Sequence, residues 1–274
     1  MRSALMTGAF YQTDLLLVLD KIAQIGYDII EIWCYEPHFY YQSDEYPRKV
    51  RSELKHRNIT VHSLHATFHE ILDLSGPDEC DRIHALETIK KQARIASYLG
   101  ANLIVIHPGY NNFSNSSERK NRMRNILISI EQLLCFCGKL GLGIAIENMG
   151  PGYFGDKFGE INHILNQFKR ENIGLCLDTS HAHLTDDLYK YLERLGHRIF
   201  SFHISDNRGI NDDHLPPGQG NINWGKFAKA LKRLNYKGPL VLEILRGRSK
   251  DLYDSIRIAK DNLERLLTVG QINE

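Results

Sequence analysis

The feature that most constrains this chain is an alternation between short β-branched apolar runs and longer amphipathic segments, repeated eight times. The apolar runs predict strands at residues 3–10, 28–33, 59–66, 102–109, 143–150, 173–180, 198–205 and 239–245. The amphipathic segments predict helices at residues 14–26, 46–57, 77–100, 118–141, 159–169, 184–196, 223–235 and 251–270. Such regularity indicates one repeated unit, a strand followed by a helix, along the whole chain.

Eight βα units in 274 residues, with strands too apolar to expose either face, predict an α/β fold. We expect a single (β/α)8 TIM barrel with parallel strands, forming one domain over residues 1–274. A doubly wound open sheet is the alternative, but it would normally carry a glycine-rich phosphate turn after its first strand. The sequence GxGxxG is absent from the chain, so the closed barrel is favoured.

Composition excludes some classes of partner. Lysine and arginine together number 34 and acidic residues 33, so the net charge of +1 creates no global attraction for nucleic acid. The five cysteines are irregularly spaced and contain no C-x-x-C, which predicts free thiols in a reducing, cytoplasmic compartment. We see neither a signal peptide nor an apolar run of membrane-spanning length, so we expect no membrane partner.

Metal-capable side chains stand at the ends of six consecutive predicted strands, from the third to the eighth. They are His65, His107, Glu147, Asp178, His203 and Glu243. Taken alone, a histidine at a strand end is more often a hydrogen-bonded structural residue. A carboxylate in runs as apolar as IAIEN and LVLEI is costly unless it is paired or metal-bound. Because the carboxyl ends of barrel strands meet at one mouth, the six together predict a metal site there.

The segment SFHISDNRGINDDHLPPGQGNINW, residues 201–224, adds ligands beyond the strand ends. Asp212 and His214 lie in the loop that follows the seventh strand, and His181 lies three residues beyond Asp178. The pair Pro216-Pro217 restricts the freedom of this loop and would help to fix its ligands. Asp213 is of the same residue type as its neighbour Asp212, so residue type alone does not choose between them.

The chain resembles the xylose isomerase-like barrel superfamily, which includes sugar-phosphate isomerases and epimerases and the endonuclease IV repair enzymes. The motifs that carry the resemblance are HPG (107–109), IEN (146–148), LDTSHAH (177–183), FHISD (202–206), DDHLPPGQGNINW (212–224) and LEI (242–244). Each motif is weak alone, but their order and spacing cover nearly the whole chain. The resemblance implies a divalent-metal enzyme on the predicted barrel.

Two branches of that superfamily imply different ligand sets. In the epimerase branch, one divalent ion would be held by Glu147, Asp178, His203 and Glu243. In the endonuclease branch, three zinc ions would be held, the first by His65, His107 and Glu147, the second by Glu147, Asp178, His203 and Glu243, the third by His181, Asp212 and His214. The choice of Asp212 over Asp213 rests on this match. Histidine and carboxylate ligands suit zinc or manganese, and we expect one to three ions.

The first functional hypothesis is a metal-dependent isomerase or epimerase of a sugar or sugar phosphate. A divalent ion would stabilise the enediolate formed when a proton next to a carbonyl is removed. Glu147 and Glu243 would be the catalytic pair that removes and returns the proton. His181 and Arg208 would bind substrate hydroxyls or a phosphate, with a solvated loop residue as the equal alternative for Arg208. Glu31, near the end of the second strand, would either contact substrate or form a structural ion pair.

The second hypothesis is a multi-zinc phosphodiesterase of the endonuclease IV type, which cleaves DNA at abasic sites. The complete set of nine ligands favours it, and only this hypothesis implies nucleic acid as a partner. The first strand, SALMTGAF, lacks the histidine of the repair enzymes, and no basic cluster marks a DNA groove. A third hypothesis, a non-catalytic binding protein, predicts lost ligands, and none is lost. The sequence leaves open the sugar, the oligomeric state and the role of the aromatic segment 34–42.

Overall fold

The computed structural model of the chain describes residues 2–110, 116–169, 171–185, 187–245 and 251–272. Within these residues, eight parallel strands pair in chain order and close into a barrel, which confirms the predicted (β/α)8 architecture. The strands are β1 (Ser3–Met6), β2 (Ile29–Trp33), β3 (Thr60–His65), β4 (Leu103–Ile106), β5 (Gly143–Glu147), β6 (Ile173–Asp178), β7 (Ile199–Ile204) and β8 (Leu240–Leu242).

Helices connect successive strands around the outside of the barrel. In chain order they are α1 (Leu15–Ile25), α2 (Tyr46–His56), α3 (Glu79–Leu99), α4 (Ser116–Lys139), α5 (Phe158–Gln167), α6 (Thr179–Leu184), α7 (Leu188–Leu195), α8 (Trp224–Leu234) and α9 (Leu252–Ile272). Local sequence sets their ends. The Asp14 carboxylate accepts the Leu16 N–H at the start of α1, and Gly26 ends that helix with a φ of 93°. Across the described residues, none of the helices combines the length and apolar character needed to cross a bilayer.

The strands are buried on both faces. Their outward side chains pack against the helices in one large apolar cluster, to which α1 contributes Leu15, Leu19 and Ile22. Inward side chains form smaller clusters, Ala4, Met6, Ile29 and Val241 in one and Val105, Ala145 and Cys176 in the other. The interior is therefore packed with side chains, as in other barrels of this type, and ligands must bind at an end.

The first strand is shorter than the sequence predicts. We expected a strand over residues 3–10, but β1 ends at Met6, and Thr7–Phe10 form a turn of 3-10 helix. The pairing of β1 with β2 stops at Met6 and Glu31. Beyond this point the Trp33 N–H donates to the side chain of Thr7, at 3.0 Å from Oγ1, instead of to a backbone carbonyl. That side-chain bond lets the chain leave the sheet early.

Every other strand except β2 also ends before its predicted end, and this places the candidate ligands at the rim. His107 follows β4 directly and Glu243 follows β8 directly. The predicted strand 173–180 stops at Asp178, because the Asp178 carboxylate accepts the N–H of His181 and starts helix α6. The predicted helix 184–196 is accordingly α7, preceded by the short α6 that the sequence analysis did not foresee.

Candidate metal centre

Four predicted ligands meet at the carboxyl end of the barrel. We call Glu147, Asp178, His203 and Glu243 the barrel cluster; one ligand atom from each lies within 4.8 Å of those of the others. His203 Nδ1 lies 3.2 Å from Glu147 Oε1 and 3.0 Å from Glu243 Oε2. All four residues are buried. The neighbouring strands β5 to β8 carry them to one point, as the strand-end pattern predicts.

Two further histidines approach the same glutamate from its other side. Glu147 Oε2 lies 3.1 Å from His65 Nε2 and 2.9 Å from His107 Nε2, whereas Oε1 faces His203. The two oxygens of one carboxylate thus face two different sets of imidazoles. This is the arrangement of a carboxylate able to bridge two cations.

The remaining ligands form a separate group above the barrel. We call His181, Asp212 and His214 the loop cluster, since two of them belong to the loop after β7. Asp212 Oδ2 lies 3.1 Å from His181 Nε2 and 2.9 Å from His214 Nε2. The hydroxyl of Ser180 donates to the other oxygen, Oδ1, at 2.9 Å. The structure therefore brings together all nine predicted ligands. The barrel cluster and the loop cluster match groups that the resemblance implied, whereas His65 groups with Glu147 and His203, and His107 joins them only through Glu147.

The barrel cluster fits a divalent cation. Asp178 Oδ2, His203 Nδ1 and Glu243 Oε2 are buried and make no well-directed hydrogen bond, although His203 Nδ1 and Glu243 Oε2 lie 3.0 Å apart. A buried polar atom without a well-directed hydrogen bond costs free energy, and here three such atoms belong to one cluster. A bound cation accepts electron density from all three and removes that cost. The mixture of histidine and carboxylate suits zinc or manganese and does not choose between them.

Backbone carbonyls fix the orientation of three of the histidines. The Nδ1 atoms of His65, His181 and His214 lie 3.1 Å from Ala66 O, 2.9 Å from Asn148 O and 3.2 Å from Glu243 O. A carbonyl oxygen only accepts, so Nδ1 carries the hydrogen and the Nε2 lone pair points into its cluster. Metal-binding histidines in proteins are typically held in this way.

Of the two roles predicted for Glu31, a contact with substrate and a structural ion pair, its position favours the ion pair. The residue is fully buried. Its Oε2 accepts from the Ser63 hydroxyl at 2.6 Å, and its Oε1 accepts from His203 Nε2 at 2.9 Å. Both oxygens are thus used on the side of His203 that faces away from the barrel cluster. The structure places Glu31 as the carboxylate that orients His203, which is the structural alternative from the sequence analysis.

The pKa values of the three carboxylates in the barrel cluster are shifted in different directions. Burial raises the pKa of Glu147, but the adjacent His203 and His107 outweigh it and hold that pKa well below its usual value. For Glu243, His203 and His214 likewise outweigh burial and lower the pKa to about 2. Burial raises the pKa of Asp178 to about 7, with help from the neighbouring glutamates. A cation among these groups would relieve the repulsion that acts on Asp178.

A cavity of about 470 Å³ opens directly above the two clusters. Its lining combines predicted ligands with apolar residues, Trp33, Phe68, Met149, Tyr153 and Leu184. This volume lies in the range of small-molecule sites. In the aromatic segment 34–42, Tyr35 stacks on Trp33 at 4.2 Å between ring centroids, so part of the segment packs against a residue that lines the cavity.

Other residues differ from expectation in their position. The predicted substrate contact Arg208 is not among the described residues of the cavity wall, and its side chain is partly exposed beside Asp213, at 3.4 Å.

Sequence reasoning missed Asn148 and Ser180, which support His181 and Asp212. Both adjoin a ligand in the chain, and that adjacency was the available signal. Trp33 adjoins the aromatic segment that the sequence analysis left open.

Comparison with known proteins gives a consistent picture. The sequence profile of the xylose isomerase-like TIM barrel family matches residues 19–268. The chain is 26% identical over 260 residues to inosose isomerase of Halalkalibacterium halodurans, covering 91% of this chain and 90% of that protein. It is 22% identical over 266 residues to a probable endonuclease 4 of Persephonella marina, covering 89% and 92%. The relatives thus include both isomerases and endonucleases.

Two solved structures illustrate the fold that this chain shares with known proteins. A D-tagatose 3-epimerase-like protein superposes with a TM-score of 0.88 at 24% identity, covering 99% of both chains. The IOLI protein, solved with a bound zinc atom, superposes with a TM-score of 0.85 at 22% identity, covering 98% of this chain and 99% of that one. At these identities the likeness establishes the fold.

Proposed function

The chain belongs to the xylose isomerase-like TIM barrel family, and we propose that it is a divalent-metal-dependent isomerase or epimerase of a sugar or sugar phosphate. The observation that carries the proposal is the placement of Glu147 and Glu243. Each presents one oxygen to His203 Nδ1, at 3.2 and 3.0 Å, beneath a cavity of small-molecule size. The inosose isomerase and sugar 3-epimerase relatives support the same reaction class.

The two glutamates would share the proton transfer. One carboxylate removes the proton on the carbon next to the substrate carbonyl, which gives an enediolate, and the other delivers a proton to the opposite face or to the neighbouring carbon. Delivery to the opposite face gives an epimer, and delivery to the neighbouring carbon gives an isomer. A divalent ion bound by the barrel cluster supplies the positive charge that lowers the energy of the enediolate.

The cavity wall would orient the sugar over the glutamates. Trp33 and Phe68 present aromatic faces and edges, on which the C–H groups of a sugar can pack. His181 and Asn211, which also line the cavity, offer polar groups to hydroxyls. Such a mixture of apolar and polar lining residues selects a polyol by the direction of its hydroxyl groups.

A second candidate function is hydrolysis of a phosphodiester at an abasic site in DNA. The contact of Glu147 Oε2 with both His65 and His107 favours it, because a one-ion epimerase does not require those histidines. Together with the loop cluster, they would raise the number of ions to three. Hydroxide generated between two ions is an effective attacking group on phosphorus.

Solvent exchange tests the first proposal. The protein, reconstituted with zinc and separately with manganese, is incubated in deuterated water with a panel of free and phosphorylated ketoses and with inosose. We expect deuterium in at least one recovered sugar, detected by mass spectrometry, and none with the Glu243→Gln variant. Absence of exchange from protein with verified metal content would contradict the proposal. Nicking of an abasic oligonucleotide that disappears in the same variant would establish the second candidate instead.

We also propose a reducing, cytoplasmic location. All five cysteines are free thiols, and Cys34, Cys137 and Cys176 are buried. Thiols in this state suit a reducing compartment. Fractionation of the native cells, followed by immunodetection, tests this location.

A further inference from the structure

A buried carboxylate outside both clusters organises the loop that carries Asp212 and His214. Asp206 is completely buried. Its Oδ1 accepts the N–H groups of Asn207 and Ile222, at 2.9 and 3.1 Å. Its Oδ2 accepts those of Gly218 and Gly220, at 2.9 and 3.0 Å, and the indole N–H of Trp224, at 2.8 Å. These five donors are neutral groups, and four of the five come from the segment 218–224.

The backbone of Asp206 also holds the first half of the loop, the segment that carries Asp212 and His214. Asp206 and Leu215 exchange both of their backbone hydrogen bonds, each at 2.8 Å. Leu215 directly follows His214, so this pair fixes the point at which the ligand-bearing segment returns to the barrel. His214 itself has a φ of 45°, a left-handed conformation that non-glycine residues rarely adopt. Such a conformation persists only when the surrounding structure imposes it.

Glycines let the second half of the loop wrap closely around the carboxylate. A Cβ atom on Gly220 would lie 2.2 Å from Asn207 O and 2.3 Å from Asp206 Oδ1. Gly218 has a φ of 85°, which also favours glycine. The PPGQG pattern in residues 216–220 is therefore explained by the need to bring successive N–H groups onto Asp206.

A continuous set of hydrogen bonds leads from this wrap to the ligands. Asn207 accepts the Gly209 N–H at 2.8 Å and donates through Nδ2 to Ser180 O, also at 2.8 Å. Ser180 donates through its hydroxyl to Asp212 Oδ1 at 2.9 Å. The position of Asp212 beside His181 thus depends on the arrangement that begins at Asp206.

We propose that Asp206 is a positioning residue that pre-organises the loop cluster and so sets the affinity of a cation bound there. It would do so without touching the ion, by holding Asp212 and His214 in ligating positions before binding. A loop that must order itself on binding loses affinity to the conformational entropy of ordering. This inference rests on the metal dependence of the proposed function.

The test replaces Asp206 with asparagine, which keeps the volume but removes the charge and turns one acceptor into a donor facing N–H groups. Cobalt(II) titration, followed by ligand-field absorption, separates the ions, because the component lost in His214→Ala marks the loop site. We expect Asp206→Asn to weaken that component by roughly 10- to 100-fold, the usual loss when a residue supporting a ligand is removed. The other components should keep their affinity.

Asp213→Asn is the matched control, since Asp213 lies in the same loop but pairs with Arg208 instead of the loop cluster. It should leave every component unchanged. If Asp206→Asn does not fold, as judged by circular dichroism, Trp224→Phe decides the question. That variant removes one of the five donors and keeps an aromatic ring, so the loop component should weaken by a smaller, measurable factor.

Three outcomes would overturn the inference. One is a loop component that keeps its wild-type affinity in both Asp206→Asn and Trp224→Phe. Another is a wild-type titration with no component that His214→Ala removes. The third is a lower melting temperature with all components weakened together, which would indicate a purely structural role. Loss of the loop component in a protein that never exchanges sugar protons would uphold the inference while refuting the proposed function.

Discussion

The barrel cluster and the loop cluster use the same ligand types on different supports. In the barrel cluster, the side chains of Glu147, Asp178 and His203 are at most 1% exposed, and each lies at or near the end of a strand. In the loop cluster, the Asp212 side chain is 32% exposed and depends on Ser180 and on the loop around Asp206. Burial and the barrel fix the first site, whereas a local hydrogen-bond network fixes the second.

This difference has energetic consequences. Among the described residues, the buried polar atoms without partners include three of the barrel cluster and none of the loop cluster. The free barrel cluster therefore carries an uncompensated cost that a cation removes. The loop cluster is closer to solvent, so water can satisfy its ligands and a cation there gains less. We expect the barrel ion to be the tighter of the two.

The largest expected effect is on turnover, through the barrel cluster. Glu243→Gln removes the charge and basicity of one proton-transfer group but keeps its volume, so we expect a loss of roughly 10²- to 10⁴-fold in turnover. Activity is measured on the sugar identified by deuterium exchange, and circular dichroism checks the fold. The exposed Glu193→Gln on α7 serves as the control. Near-normal turnover in Glu243→Gln would remove Glu243 from the reaction.

A smaller effect is expected from the residue behind His203. Glu31→Gln keeps the shape of the Ser63–Glu31–His203 contact but removes its charge, so His203 becomes a weaker ligand. We expect the barrel ion to bind roughly 10- to 100-fold more weakly. Zinc competition with a chromophoric chelator measures this affinity. An unchanged barrel ion, or an equal loss at the loop site, would contradict the assignment of Glu31 as a positioning residue.

The next prediction separates the two clusters directly. His214→Ala removes one of the three loop ligands, so the protein should retain one ion fewer per chain while the barrel ion keeps its affinity. Elemental analysis after desalting gives the metal content. His183→Ala, two residues beyond His181, is the control and should retain the full content. An unchanged content in His214→Ala would mean that the loop cluster does not hold an ion.

The smallest effect is expected from the support of Asp212. Ser180→Ala removes one hydrogen bond to Asp212 Oδ1, and such a bond to a charged group contributes about 1.5–3 kcal/mol at most. Because the Asp212 side chain is 32% exposed, water can reach its carboxylate even though Ser180 itself is buried, so we expect only a several-fold loss of affinity for the loop ion. Cobalt titration of Ser180→Ala beside Thr185→Ala, a control at the end of α6, measures it. A loss as large as that of His214→Ala would contradict this prediction, because it would make Ser180 as important to the loop ion as a ligand.

Local pattern was enough to predict where the ligands would lie. The apolar alternation sets eight strands, and parallel strands in a closed barrel must end at one rim. Residues at those ends, such as His107 and Glu243, therefore lie together at the rim, however the core packs. The choice of Asp212 over Asp213 came from the resemblance, and the structure turns Asp212 toward His181 and leaves Asp213 beside Arg208.

The local sequence pattern could not predict which way the Glu31 side chain points. Its partner His203 lies 172 residues away in the chain. The pairing of β2 with β3 also shifts between Ile30 and Glu31, where the register passes over one residue of β3. Whether this carboxylate faces the cavity or supports a ligand thus depends on strand register, which no local pattern encodes.

Periodicity and strand polarity predict the barrel, its polar mouth and the residue types that gather there, because both are local properties of the chain. Contacts between distant segments decide which carboxylates face a cluster and which hold a cluster histidine or a loop in place. Glu31 and Asp206 are both acidic residues at or near the end of a strand, yet one is bonded to His203 and the other to a ring of loop N–H groups. Contacts between distant segments assign those roles, since each depends on what the folded chain brings within hydrogen-bond distance.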